Sequence, residues 1–541
     1  MTAASKVETT LLVSLCSPEV ESCQVVTACI SLVLDACCII DERNESAKAT
    51  ASMLRNADVL REIASRDFRV TGLVAFQKRV RTLLRRMQYP TTAILNAWEI
   101  AFDRWIHLAK DLSTPVAEPA NEKTLTEWRN ISGFLASLGG ICTANQAIIL
   151  EEPALGGLRW IDRLNSEHCE EPLLSRFLRL SIQLLACDNV HVREITRDVL
   201  SNEISPILFL PLFRTIESEL EVLFTGALAP TEKGQDNEVI FAEQAASLLR
   251  ALTERLESPS DLAAAASVHL GSLTLNFARF LDGIAKTTDT LRVKIRVCQL
   301  CDAVIKRKEH LNLRDDTRIR NQLLESIFGW IARPRSPPSD ASYGNTRPDD
   351  TSRVQRDLDM ACLRSLAELT YRLPLQPSDS QTDAGMSEMK SQMFHMYFNR
   401  FLSLLNQEPT EPSKSDQNTS SLAREDSATN SDLAIKILSN LLSSNIDVGL
   451  KHSLNIGYHE NIEIRTAFVK VLYNILVQGT EFNNLNDSVV SEKYEDLLEV
   501  SSNLSHTTYT AEIFLILTDG AQFTAFDRRC FTLVVYECCL P

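Results

Sequence analysis

Glycine is scarce in this sequence, 17 residues in 541, and alternating apolar–polar stretches bounded by hairpin turns are hard to find. Sheet proteins depend on both, so a strand-rich fold is excluded. A surplus of positive charge is lacking too: 55 basic against 71 acidic residues leave a net charge of −16. Phosphate binding needs a concentrated positive field, so no nucleic-acid partner and no general anionic-membrane surface are expected, although a local basic patch remains compatible. No basic N-terminal segment runs into an apolar stretch with a small-residue cleavage site, so no signal peptide is expected. The most apolar early run, Val25 to Ile40, carries Asp35 and is shorter than the ~20 residues that cross a bilayer. It reads as a buried helix and not as a transmembrane segment.

The motifs of common chemistry are also missing: no GxxxxGK followed by Ser or Thr, no GxSxG elbow, no GxGxxG after a strand, no HExxH. No catalytic residue, cofactor or metal is expected. "HENIE" at His459 to Glu463 lacks a zincin's second histidine and reads as a turn and helix start. "CQLC" at Cys298 to Cys301 has redox or zinc-knuckle spacing, but on a helix both sulfurs share one apolar face and no second pair lies nearby; buried core thiols are expected. The fourteen cysteines include the adjacent pairs Cys37–Cys38 and Cys538–Cys539 and show no regular spacing. That favours reduced thiols in the cytosol over a disulfide framework.

What is present is helical periodicity. Pro90 suits a first helical turn, and Ile94, Trp98, Ala101, Trp105 and Leu108 follow at steps of three and four. Thr124 and Glu127 have capping-box spacing, Trp128, Ile131, Leu135 and Leu138 continue the stripe, and Gly139–Gly140 reads as a stop. The fold class expected is all-α. A chain of this length exceeds the ~250–300 residues at which single cores stop growing, which means several domains or one repeat array. "NVHVREITRDVL" (189–200) and "NIEIRTAFVKVL" (461–472) decide for the array: each sets Asn, a β-branched residue, Arg193 or Arg465, and apolar positions in the same order. Both resemble the second helix of a HEAT-type repeat, which buries its apolar face only by stacking on neighbours. Strict periodicity is absent, so the architecture expected is an irregular HEAT/armadillo-like α-solenoid. Arg193 and Arg465 are expected to make inter-helix hydrogen bonds or ion pairs.

Polar segments rich in Pro, Ser, Asp and Asn at 226–238, 332–356 and 406–431 cannot offset chain entropy by burial and are expected as disordered loops. The strongest charge feature is "QKRVRTLLRR", with Lys78, Arg79, Arg81, Arg85 and Arg86. On a helix Val80, Leu83 and Leu84 face the stack while the cations fan outwards. That face suits an acidic partner such as a tubulin tail or lipid headgroup; the plainer alternative is a solvated face paired with acids elsewhere.

Six stretches in order carry a family resemblance: "FQKRVRTLLRRMQYPTTAILNAWE" (76–99), "LTEWRNISGFLASLGGIC" (125–142), "RNQLLESIFGWI" (320–331), "RDLDMACLRSLAELTYRLPLQP" (356–377), "KSQMFHMYFNRFLSLLN" (390–406) and "SNLLSSNIDVGLKHSLNIGYHENIEIRTAFVKVLYNILVQGTEF" (439–482). Together the chain resembles neurofibromin and its fungal counterparts, the Ras GTPase-activating proteins of the Ira type. The resemblance covers most of residues 68–500 and implies the helical scaffold that precedes the family's catalytic domain. It implies cytoplasmic or peripheral membrane location, protein partners, tubulin contact, homodimerisation, and Ras-GTP as partner through the catalytic domain alone.

In that family an arginine finger stabilises charge on the transferring γ-phosphoryl group, and an F-L-R arginine steadies the finger loop. Neither can be assigned to a position here; Arg528 and Arg529 sit in neither context. The divisions expected are an N-terminal helical segment (1–67), solenoid parts at 68–225, 239–331 and 357–405 separated by the three polar segments, HEAT-like helices at 432–500, and a divergent tail at 501–541. The reading from sequence is a non-catalytic scaffold of a neurofibromin-like Ras regulator. A stand-alone adaptor, or a GTPase activator with an unrecognised finger, are the alternatives.

Overall fold

The structure, a computed structural model, describes residues 3–43, 52–65, 72–113, 122–144, 173–226, 232–311, 313, 315–331, 350–376, 383–405, 419–453, 455–456 and 459–482. Among the described residues there are twenty α-helices and no strand, as the scarcity of turn glycines and the apolar stripes at steps of three and four require. The all-α expectation holds. The helices belong to two compact units: residues 1–273 with 308–312, and residues 274–307 with the chain from 313 onwards.

The first unit holds α1 (Ala3–Ser14), α2 (Val20–Arg43), α3 (Ala57–Ala64), α4 (Leu73–Leu84), α5 (Thr92–Ser113), α6 (Glu122–Ala144), α7 (Leu173–Gln183), α8 (Val190–Asp198), α9 (Phe209–Gly226), α10 (Glu232–Glu254), α11 (Pro259–Ala266) and the start of α12 (Leu270–Asp282). Helices near in sequence pack side by side, as in a stack of helical hairpins: α5 on α1 and α6, α4 on α6, α7 on α9. Ile94, Trp98, Ala101, Trp105 and Leu108 all point into the core, where burying a large aliphatic side chain such as Ile94 or Leu108 contributes roughly 1.5–3 kcal/mol. Pro90 precedes the helix; Thr91 is the cap, its Oγ1 accepting from the Ile94 amide at 3.2 Å.

The second unit contains the remainder of α12, α13 (Thr288–Lys306), α15 (Asp316–Trp330), α16 (Asp350–Leu369), α17 (Asp383–Leu405), α18 (Thr419–Ser444), α19 (Ile446–Ser453) and α20 (Ile462–Phe482); a short α14 (Lys308–Leu311) returns to the first unit against α11. Here α16 packs between α13, α15 and α18, and α20 closes on α18. Thr287 caps α13 in a reciprocal box: its Oγ1 accepts from the Thr290 amide at 3.2 Å, and its own amide donates to Thr290 Oγ1 at 2.8 Å.

Four readings of the sequence change. Helix α6 starts at Glu122, so Thr124 lies inside it, and it runs through Gly139–Gly140 to Ala144. Helices α10, α16 and α18 start at Glu232, Asp350 and Thr419, inside the segments 226–238, 332–356 and 406–431 read as loops. A packed helix extends outward through polar residues of fair propensity once its nucleus exists. The rest of those segments (227–231, 332–349, 406–418) and the tail 501–541 lie outside the described residues. Finally, α2 is longer than its apolar run and is the one helix among the described residues long and apolar enough to cross a membrane. It is not a buried helix: Cys23, Ile30 and Leu34 face inward, while Val25 and Leu32 are 62% and 68% exposed.

Candidate functional site

The five cations of α4 and the turn after it do not form one outward surface. Gln77, Val80, Arg81 and Leu84 lie on its inner face, and Arg81 is only 4% exposed. Its guanidinium meets the Glu203 carboxylate, with Nε 2.6 Å from Oε2 and Nη2 donating to Oε1 at 2.8 Å, and Nη1 donates to Asn130 Oδ1 at 3.2 Å. The Nε approach is close but off the line of a hydrogen bond, so the aligned contact is Nη2–Oε1. Arg81 therefore leaves the expected partner surface: it is buried against a carboxylate far along the chain, which offsets part of the cost of taking the charge out of water. Arg79 and Arg86 share Glu62, each at 2.8 Å, and Arg85, half-buried, donates to the Asn202 carbonyl at 3.1 Å. Lys78 alone of the five is exposed with no side-chain partner among the described residues.

These contacts converge on residues 199–205, where α8 passes through a π turn (Val199–Glu203) into a 3-10 turn (Pro206–Leu208). Arg255 reaches the same segment from beyond α10, donating to the carbonyls of Ser201 and Ile204 while lying 5.3 Å over the Phe209 ring. Burial lowers the pKa of Arg85 and of Arg255; the Glu203 carboxylate opposes that shift at Arg85, and both remain cations. Opposite lies α6. A Cβ at Gly133 meets Glu203 and Arg81, one at Gly139 meets Leu208, and one at Gly140 meets Ser205. The Ser205 amide donates to the Ala136 carbonyl at 3.1 Å, and Ser137 Oγ to the Glu203 carbonyl at 3.1 Å. The glycines read as a stop instead form a smooth face against which this segment lies. Glu203, Arg255 and Gly133 were not singled out from the sequence, where no local pattern marks them.

Trp98, Trp105 and Trp128 build the core beside this joint. Phe102 stacks between Trp98 and Trp105 at 5.3 and 6.0 Å, Trp105 stacks on Trp128 at 6.1 Å, and Phe177 meets Trp98, Phe102 and Trp105 edge-on. Such pairs add roughly 0.5–1.5 kcal/mol beyond their burial. The Trp98 indole donates to the Leu135 carbonyl at 3.1 Å and the Trp105 indole to Ser132 Oγ at 2.8 Å.

The two echoing helices share a cap. Asn189 Oδ1 accepts from the His191 amide at 3.0 Å, and Asn461 Oδ1 from the Glu463 amide at 2.8 Å. Val192 and Ile464 are buried at equivalent positions. The arginines differ: Arg193 binds the carbonyls of Cys187 and Asp188 at 2.6 and 3.2 Å, a contact to the preceding turn, whereas Arg465 is half-buried with no side-chain partner among the described residues. The inter-helix bond expected of Arg465 does not occur among the described residues.

In the second unit Arg320 is 2% exposed and closes the end of α16: Nε donates to the Leu369 carbonyl at 3.1 Å, Nη2 to the Tyr371 carbonyl, and Nη1 pairs with Asp316 at 3.1 Å. Asn321 and Asn445 hold the chain that follows, Asn445 Oδ1 accepting from the Leu375 amide at 2.9 Å and Asn321 Nδ2 donating to the Pro374 carbonyl at 3.1 Å. Cys298 and Cys301 are fully buried, with Cys298 Sγ 3.8 Å from Cys362 Sγ, and burial pushes the Cys301 thiol well up. His459 Nδ1 accepts from the Asn461 amide at 3.1 Å in the turn before α20. No group of three or more His, Cys, Asp or Glu able to hold a metal occurs among the described residues.

No family model matches the chain. The inhibitory regulator protein IRA2 of Saccharomyces cerevisiae is 24% identical over 448 residues, covering 81% of this chain and 14% of that protein. The inhibitory regulator protein IRA1 of the same yeast is 23% identical over 458 residues, covering 78% and 14%. The chain is a distant relative of the yeast Ira proteins. It spans about one-seventh of the length of these Ira relatives. The crystal structure of SYS-1 aligns over 99% of this chain and 93% of its own at 11% identity, with a TM-score of 0.35, a likeness too low to carry any argument.

Proposed function

We propose that this chain is a non-catalytic helical scaffold segment of a neurofibromin-like negative regulator of Ras signalling. The observation that carries the reading is the similarity to two inhibitory regulator proteins over about four-fifths of the chain. Four of its arginines serve the stack itself: Arg81 is engaged by a buried carboxylate, while Arg85, Arg255 and Arg320 bind backbone carbonyls. A finger must instead reach a phosphoryl group on another protein. In the intact regulator the stacked helices would position the GTPase-activating domain and offer surfaces to partners, in the cytoplasm or at the membrane face. The ten described cysteines, all free thiols, agree with that location.

Single-turnover GTP hydrolysis by Ras with excess purified chain tests the proposal. The rate is expected to stay at the intrinsic value of Ras; an acceleration approaching the ~10³–10⁵ of a finger-bearing domain overturns the non-catalytic assignment. The adaptor reading is weaker: with Arg81 buried and Arg79 and Arg86 sharing the single Glu62 carboxylate, less free charge remains for a tubulin tail or an acidic headgroup than five outward cations would supply.

A further inference from the structure

A cavity of about 450 Å³ opens in the first unit between α5 and α7, a size within the ~300–1,000 Å³ of small-molecule sites. Its walls follow from helical spacing: Trp105 and Lys110 lie on one side of α5, and Arg176, Leu180 and Leu184 follow at four-residue steps along α7 and the turn after it. Cys187 and Asp188 complete the lining from the turn before α8.

Three observations give this cavity a chemistry. Its apolar wall of Ile106, Leu180 and Leu184 has a fixed backing, because Trp105 behind it, 2% exposed, is clamped by Phe102, Trp128 and Phe177 and its indole N–H is already satisfied by Ser132. Its end wall is fixed as well: Arg193 holds the carbonyls of Cys187 and Asp188, and Asn189 Nδ2 donates to the Leu112 carbonyl at 3.2 Å, pinning the turn to the end of α5. Its two cations are uncommitted: neither the Lys110 ammonium nor the Arg176 guanidinium has a hydrogen bond or ion pair among the described residues. A preformed apolar wall beside two unpaired cations is complementary to an anion with an apolar body. The Asp188 carboxylate, also in the lining, disfavours a second negative charge.

We propose that this cavity binds a small amphipathic monoanion, its flat or short-chain apolar body lying against Ile106, Leu180 and Leu184 and its acidic head between Lys110 and Arg176. The site is independent of the Ras assignment and adds a ligand-dependent element to the scaffold. In this light the first copy of the repeated helix does more than stack: its cap and its arginine shape the wall of a binding cavity.

Fluorescence titration of the full chain with 8-anilinonaphthalene-1-sulfonate, a planar monoanion, is the test. The expected result is saturable one-site binding, displaced by dodecanoate and not by dodecyltrimethylammonium, which shares the tail and reverses the charge. Lys110→Gln with Arg176→Gln should weaken binding at least tenfold without shifting the thermal melt, and Leu184→Trp, which fills the cavity, should abolish it. Absence of saturable binding, equal displacement by the cation, or unchanged affinity in both variants overturns the proposal. So does a signal lost on Leu32→Gln, which would place the probe on the exposed face of α2.

Discussion

The Arg81 guanidinium reaches the Glu203 carboxylate through space that exists only because residue 133 is glycine. Removing either partner strands a buried charge, which costs roughly 3–5 kcal/mol. Arg81→Ala or Glu203→Ala should therefore lower urea-unfolding stability of the first unit by that order, while the double change Arg81→Met with Glu203→Leu should recover most of the loss. Equal stability of single and double variants would contradict the pairing.

Gly133→Ala is expected to destabilise by about 1–3 kcal/mol, the usual scale of overpacking, because its methyl meets both partners of the ion pair. The loss should shrink in a Glu203→Ala background, where half the obstruction is gone. A double-mutant cycle measures this coupling directly.

The shared caps make a paired prediction. Asn189→Ala and Asn461→Ala should each cost about 0.5–2 kcal/mol. The loss should be larger at Asn189, which also donates to the Leu112 carbonyl. Hydrogen exchange of the His191 and Glu463 amides, accelerated in the matching variant only, reports each cap separately.

His452 and His395 meet edge to face, ring centroids 3.7 Å apart, between α19 and α17. Burial first, and the His395 ring second, lower the His452 pKa below its ordinary 6.5. The folded state thus binds fewer protons than the unfolded chain around that pH, so stability is complete above about 6.5 and falls as the pH drops through and below it. Urea midpoints measured from pH 7.5 to 5 should decline, and His452→Gln should flatten the decline; a steeper slope in the variant would refute the assignment.

Thiol reactivity should divide the cysteines by burial. Desolvation pushes Cys16 and Cys142 up to about 12 and Cys301 and Cys362 well above the ordinary value. Alkylation at pH 8 should label the half-buried Cys29, Cys37, Cys38 and Cys187 in the native chain and reach the buried Cys16, Cys23, Cys142, Cys298, Cys301 and Cys362 only after denaturation, as peptide mapping would show.

Features written in local chemistry were legible beforehand. Helix periodicity placed Trp98 and Trp105 on one stripe, and the Asn–β-branched–x–β-branched–Arg order marked two helix starts that prove to be capped alike. What escaped depends on distant partners. Arg81 reads as one more cation of a basic helix, since its acid lies at residue 203 and its space is cleared by residue 133. Gly139 and Gly140 read as a stop because a glycine that ends a helix and one that admits a neighbour look the same in one dimension. Arg320, Asn321 and Asn445 are likewise polar residues whose burial is explained only by the carbonyls and amides they meet.

The grip on residues 199–205 comes from helices synthesised at different times. When α8 leaves the ribosome, Arg81 and Arg85 are already present, but Arg255 lies 54 residues beyond Ser201. Until it emerges, the Ser201 and Ile204 carbonyls lack their donor and the π turn is held from one side only. The grip on this segment is therefore complete only once residue 255 has been made, well after the helix it steadies.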